Sequence, residues 1–210
     1  WRADRAAGLD SVMLAPTREL VADLNGRARA ARITRTGATE DRQVPLADDH
    51  HASAGDVIIT RKNDRRLRVT ATDFVKNGDR WEVTEAHADG SLSARHLSHR
   101  HHVRLPASYV QSHTELGYAT TIHSAQGVSV DTMHGLATGE ESRQQLYTML
   151  SRGKAGNHLY LQAAGDGDPH SVIRPEVLHP QTAGELLGQM LARDESPLSA
   201  TSTLREQERA

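Results

Sequence analysis

Cysteine is absent from the sequence, which excludes disulfides and thiolate metal sites and fits a reducing, cytoplasmic setting. Aromatic residues are scarce: one Phe, two Trp and four Tyr leave any core resting on Leu, Val, Ile, Ala and Met. No apolar run approaches the roughly 20 residues that span a bilayer, and no signal-like apolar segment opens the chain, so no membrane segment is expected. Charge of one sign is lacking too. A net charge of −2 excludes a wholly basic nucleic-acid binder and leaves that work to local patches. Nor is there a G-x-x-x-x-G-K-[ST] phosphate loop. Gly153-Lys154 has Thr148 where the first glycine is required and Ala155 where Ser or Thr is required. Without that loop, or a convincing acidic metal-binding strand, these 210 residues are not expected to hydrolyse ATP on their own.

What is present fits one medium domain or two small ones, with 37% hydrophobic and 25% charged residues. Because the first residue is Trp1 and not Met, the chain is expected to be a piece of a longer protein. "SVMLAPTRELVADLNGRARAARI" reads as a short buried strand, Val12 to Ala15, followed by a helix with apolar positions Leu20, Val21, Leu24, Ala28 and Ala31 at helical spacing. Thr17 is placed to cap that helix, and Glu19 sits in its first turn, where the dipole favours a carboxylate. Arg18 is out of place by the same argument, since a cation at a helix N-terminus opposes the dipole unless an anion is near.

From about Val44 to Leu105 the period shortens to that of strands, punctuated by Asn77-Gly78 and Asp89-Gly90 turns, and a small β-barrel is expected with Trp81 in or against its core. Ten basic residues gather there, among them Arg65 and Arg66. They read either as a solvated barrel surface or as a surface that tracks phosphates. His96, His99, His101 and His102 lack a carboxylate or further ligand at metal-site spacing, so no metal site is expected.

Beyond the barrel the α/β pattern returns. "GVSVDTMHGLA" reads as a strand, and "ESRQQLYTMLSRGKAGNHLYLQ" as a helix, a glycine stop at Gly153 and a closing strand. Leu146, Met149 and Leu150 are expected to face the core, with Arg152 pointing away from it. Near the C-terminus, Thr182 and Glu185 stand in capping-box spacing ahead of an apolar stripe, Leu186, Leu187, Met190 and Leu191, that should dock as a short helix. Between these units, "GYATTIHSAQG" concentrates short hydrogen-bonding side chains that suit contact with a polar ligand.

These segments together resemble superfamily 1 helicases of the RecD-like branch. "GYATTIHSAQGVSVD" looks like motif V, "QLYTMLSRGKAGNHLYL" like motif VI, "VMLAPTRELVADLN" like motif IV at the start of the second RecA-like domain, and "AGDVIITRKNDRRL" with "VKNGDRWEVTE" like the SH3-like barrel inserted there. With the tail "HPQTAGELLGQMLARDESPLSATSTLRE", the pattern is most similar to the helicase part of TraA/TrwC-type (MobF) conjugative relaxases. The resemblance implies an α/β RecA-like helicase domain at 1–45 and 105–165, an inserted SH3-like β-barrel at 46–104 and a helical tail at 166–210.

By the same resemblance Thr120, Thr121, His123 and Ser124 touch single-stranded DNA, with Arg65 and Arg66 adding charge from the barrel. Gln126 and Gly127 lie near ATP, Arg152 acts as the arginine finger, and Arg18 is a second phosphate contact. ATP and Mg2+ belong to the parent protein, whose upstream RecA-like and relaxase domains are the implied partners of a monomeric fragment. DNA binding by the fragment is expected to be weak and steeply salt-dependent. A chromosomal RecD-like repair helicase and a non-catalytic DNA- or protein-binding module remain as alternatives.

Overall fold

The computed structural model describes residues 1–37, 42–162 and 182–195. The tail beyond 195, and the stretch 163–181 that precedes its helix, lie outside the described residues. A short helix α1 (Arg2–Ala6) leads into β1 (Ser11–Ala15), whose five residues are all buried, as befits an inner strand of a parallel sheet. Helix α2 (Arg18–Thr36) follows at once. Thr17 accepts the Leu20 N–H at 3.3 Å to cap it, and Gly37, at φ 67°, ends it by donating to Ile33 O. The apolar stripe carries one polar interruption. Buried Asn25 donates to Leu116 O and Ala119 O and accepts from Ala119 N, so its amide is satisfied by the neighbouring strand.

The barrel follows as β2 (Val44–Pro45), β3 (His51–Ala52), β4 (Val57–Thr60), β5 (Asp64–Arg68), β6 (Phe74–Val75), β7 (Arg80–Ala86), β8 (Leu92–His96) and β9 (His102–Leu105). Then come helix α3 (Ala107–His113) and β10 (Thr114–Leu116). The main sheet is antiparallel, ordered β10-β4-β7-β8-β9, so it extends past residue 104 to take in β10. Gly78 and Gly90, both at positive φ, form the turns before and after β7. Trp81 is fully buried, and its Nε1 donates to Thr60 Oγ1 at 3.3 Å.

The chain then rejoins the first layer with β11 (Ala119–Thr121), β12 (Val130–Ala137), α4 (Arg143–Leu150) and β13 (Gly153–Leu161). The second sheet is parallel, ordered β11-β1-β12-β13. Capping boxes at Ser142 and Thr182 start α4 and the docked C-terminal helix α5 (Ala183–Ala192), whose Leu186 and Met190 are buried. Two expectations for α4 need correction. Leu150 is 43% exposed and lies off the buried face formed by Leu146 and Met149. Gly153 is no helix stop: Ser151 caps α4, and Gly153 opens β13, where a Cβ would come 2.1 Å from Gly156 O.

Buried polar junctions join the two layers. Asp56, fully buried at the foot of β4, accepts from Arg29 and Arg32 of α2, from the Tyr118 hydroxyl and from Ser53. Arg80 reaches from β7 to Asp10 Oδ1 at 2.8 Å, Ser11 O at 3.0 Å and Gly117 O at 3.2 Å. Burial holds the Arg80 pKa below its ordinary value, against the pull of Asp10. The barrel is thus seated on the parallel sheet by satisfied charges on both sides of the joint.

Candidate nucleic-acid interface

The parallel register places the end of β11 and the start of β12 at opposite edges of the sheet, so the segment from Ile122 to Ser129 must cross between them. It does so as a single tight turn, His123–Ala125, followed by Gly127 at φ 83°. Ile122 and Ala125 anchor it in the core, leaving His123, Ser124, Gln126, Gly127 and Ser129 exposed. Across from it stand the Asn77–Arg80 turn and the β8–β9 hairpin of the barrel. Together they enclose an open cleft of about 600 Å³.

The cleft is polar and close to neutral. Its charges are paired: Arg80 with Asp10, and Arg61 with Glu115 at 2.6 Å. The exposed donors on its walls are the neutral side chains of Asn77, Ser98, Ser124, Gln126 and Ser129. His96 lies 3.7 Å from Asp79 and stacks on His99, with centroids 3.6 Å apart. The His99 pKa is lowered by burial and by its histidine neighbours.

The crossing segment is tied to the end of α4. The Arg152 guanidinium donates to Thr148 O at 3.0 Å, Val128 O at 3.3 Å, Ala125 O at 3.5 Å and the Ser151 hydroxyl at 2.9 Å. Its backbone carbonyl accepts from Val130 N at 3.1 Å. Arg152 therefore does not point away from the fold, as the helix spacing suggested. It bridges α4 to the backbone flanking Gln126 and Gly127.

The expected DNA-contacting residues are not all alike in position. Thr121 and Ser124 satisfy each other: the Thr121 hydroxyl donates to Ser124 Oγ at 2.9 Å and accepts from Ser124 N at 3.2 Å. This leaves the exposed Ser124 hydroxyl with its own proton to give. Thr120 is corrected. It is 2% exposed within β11, paired beside Leu14, and its hydroxyl has no partner, so it offers nothing to a ligand at the surface.

Arg65 and Arg66 are exposed on the barrel and do not line the cleft. Arg65 lies 5.7 Å from the Phe74 ring, and Arg66 is held in a two-pronged pair by Asp64. Arg18 is exposed at the first turn of α2, beyond the C-terminal end of β1, whereas Arg152 sits at the N-terminal end of the parallel strands. A five-residue strand, roughly 16 Å, separates those edges, so the two arginines are not brought together. Sequence reasoning missed the barrel wall of the cleft, Asn77, Asp79, Arg80, His96 and Ser98. The Asn77-Gly78 turn was visible, but nothing in the sequence said which sheet it would face.

Comparison with known proteins fits this architecture. The family model for the Rv2311 SH3-like barrel domain matches residues 44–115. The chain is 33% identical to the Rv2311 protein of Mycobacterium tuberculosis over 122 residues, covering 54% of this chain and 66% of that protein. It is 32% identical to the conjugal transfer protein TraA of Agrobacterium fabrum over 162 residues, 76% of this chain and 14% of TraA. A probable TraA of Sinorhizobium fredii is 31% identical over 166 residues. Among solved structures, Pif1 helicase from Bacteroides in complex with ADP-AlF3 and single-stranded DNA superposes with a TM-score of 0.56 at 16% identity, over 95% of this chain and 44% of that one. A second Bacteroides Pif1 structure, bound to single-stranded DNA, gives 0.52 at 16% identity, over 81% and 43%. The likeness to Pif1 is one of fold, an α/β domain of the RecA-like type, and the family model adds the SH3-like barrel.

Proposed function

From a helicase domain with an SH3-like barrel, in a chain similar to TraA-type conjugal transfer proteins, we propose that these residues form the second motor domain of an ATP-dependent DNA helicase in plasmid transfer. Single-stranded DNA runs through the cleft between the barrel and the Thr121–Ser129 segment. Ser124 and His123 meet it on one side and Asn77 and Ser98 on the other, with Gln126 and Gly127 on the nucleotide side of the segment. Neutral donors suit a moving strand, since they bind phosphates and sugars without the charge pairing that would hold it in place. The phosphate loop and Mg2+ contacts that ATP hydrolysis needs come from outside these 210 residues, which carry no such loop.

One observation carries the reading: Arg152 is bonded to the carbonyls of Ala125 and Val128, within the segment that forms the cleft wall. The same guanidinium is the arginine finger. To reach a leaving γ-phosphate it gives up those two long hydrogen bonds, and the DNA-facing segment is freed at that moment. Nucleotide turnover and grip on the strand are coupled through one side chain.

The test is Arg152→Ala in the full-length parent. ATP turnover should fall by about a hundredfold or more, the scale on which an arginine finger acts, and affinity for single-stranded DNA should stop responding to the bound nucleotide. Normal ATP turnover with loss of unwinding would assign Arg152 to the DNA path and remove the finger role.

A further inference from the structure

A separate constellation lies on the sheet face opposite α4, and it does not depend on the motor reading. Parallel pairing of β12 and β13 sets His134 directly beside His158, with ring centroids 4.7 Å apart and planes 17° from parallel. Helix α1 brings Asp4 onto the pair, its carboxylate oxygen 2.7 Å from His134 Nε2. Donor atoms of Asp4, His134 and His158 all lie within 4.8 Å of one another. Two residues further along β13, the Tyr160 hydroxyl stands 3.0 Å from the other nitrogen of the same ring, His134 Nδ1.

We propose that Asp4, His134 and His158 hold one divalent transition-metal ion of the zinc class, pinning α1 to β12 and β13. Two imidazoles and a carboxylate are a donor set zinc accepts readily, with water in the fourth position. In a tetrahedral zinc site with bonds of about 2.0–2.1 Å, donors stand about 3.3 Å apart. The exposed His158 ring closes the remaining gap by rotating about its own side-chain bonds.

His134 is the fixed ligand, being 7% exposed and oriented from outside the donor set. When its Nδ1–H donates to the Tyr160 oxygen, the Nε2 lone pair is left facing Asp4 and His158. This is the outer-shell arrangement that sets the tautomer of a metal-bound histidine. The Trp1 ammonium, 3.4 Å away, is on the Nδ1 side of the His134 ring.

A plain Asp4–His134 hydrogen bond accounts for two of the three groups and gives His158 no part. The sequence hid this site because its ligands are spread from Asp4 to His158, and only the pairing of β12 with β13 and the packing of α1 unite them.

Isothermal titration of the tag-free chain with Zn2+ tests the assignment. The wild type should bind one equivalent. His158→Ala and Asp4→Asn should each weaken binding by more than about tenfold, and Tyr160→Phe, which removes no ligand, by about tenfold. His99→Ala, in the barrel hairpin, should leave the isotherm unchanged. The proposal is overturned if no binding is seen up to millimolar Zn2+, or if His158→Ala and Asp4→Asn titrate like the wild type. It is equally overturned if His99→Ala is the variant that abolishes binding, which would place the ion among the barrel histidines. Circular dichroism of each variant identifies any that fails to fold. Because His158 is exposed, His158→Ala keeps the test available if a change at Asp4 disturbs α1.

Discussion

At the scale of single residues, pairing decides which charges a ligand can use. Arg66 looks from the sequence like a free cation on a barrel strand. Asp64, two positions earlier, takes both its Nε and Nη2 and accepts its backbone N–H as well. Those bonds hold the Asp64 carboxyl at about 2, against an ordinary 3.8. A carboxylate with a depressed folded-state pKa adds stability that is complete above its ordinary value and is lost as pH falls through the folded value. The Asp64 contribution therefore fades between pH 3.8 and about 2. Carboxyl-carbon NMR should give a midpoint near 2, rising toward the ordinary value in Arg66→Ala. An unchanged midpoint would mean that Arg66 is free in solution and available to phosphates. Hydrogen-bonding capacity was legible in the sequence at Ser124 and Gln126. The burial of Thr120 was not, because a strand of three residues carries too little pattern to say which side chains face inward.

At the scale of elements, the joint between barrel and parallel sheet turns on Gly117. Its φ is ordinary, and its need for glycine is steric: a Cβ would lie 2.7 Å from the Ile58 carbonyl carbon and 2.8 Å from its oxygen. There the chain leaves β10, donates to Val57 O at 2.8 Å and accepts from Arg80 Nε at 3.2 Å. Gly117→Ala should cost about 1–3 kcal/mol by forcing two backbones apart, read as a lower denaturation midpoint. No loss of stability would mean that the barrel shifts freely on the sheet. The β1–α2 unit, the barrel strands, α4 and the docking of α5 were all legible from period and capping residues. The buried seat made by Asp56 and Arg80 was not, since both read as ordinary surface charges until Arg29, Arg32 and Asp10 are brought against them.

At the scale of the whole molecule, the barrel is a wall of the cleft more than a basic surface. Six of the ten basic residues counted in its sequence, Arg61, Arg66, Lys76, Arg80, Arg95 and Arg104, have acidic partners. Few counterions are then released when DNA binds, and affinity should fall more gently with salt than the basic count implies. The proposed path of the strand runs between the Thr121–Ser129 segment and the barrel turns. Backbone amide NMR of the chain titrated with a short single-stranded DNA tests this directly, even where binding is weak. Shifts should appear together at Ser124–Ser129, at Asn77–Arg80 and at Leu97–Ser98, with little dependence on base sequence. Shifts confined to β5 around Arg65 and Arg66, with the cleft residues silent, would contradict it.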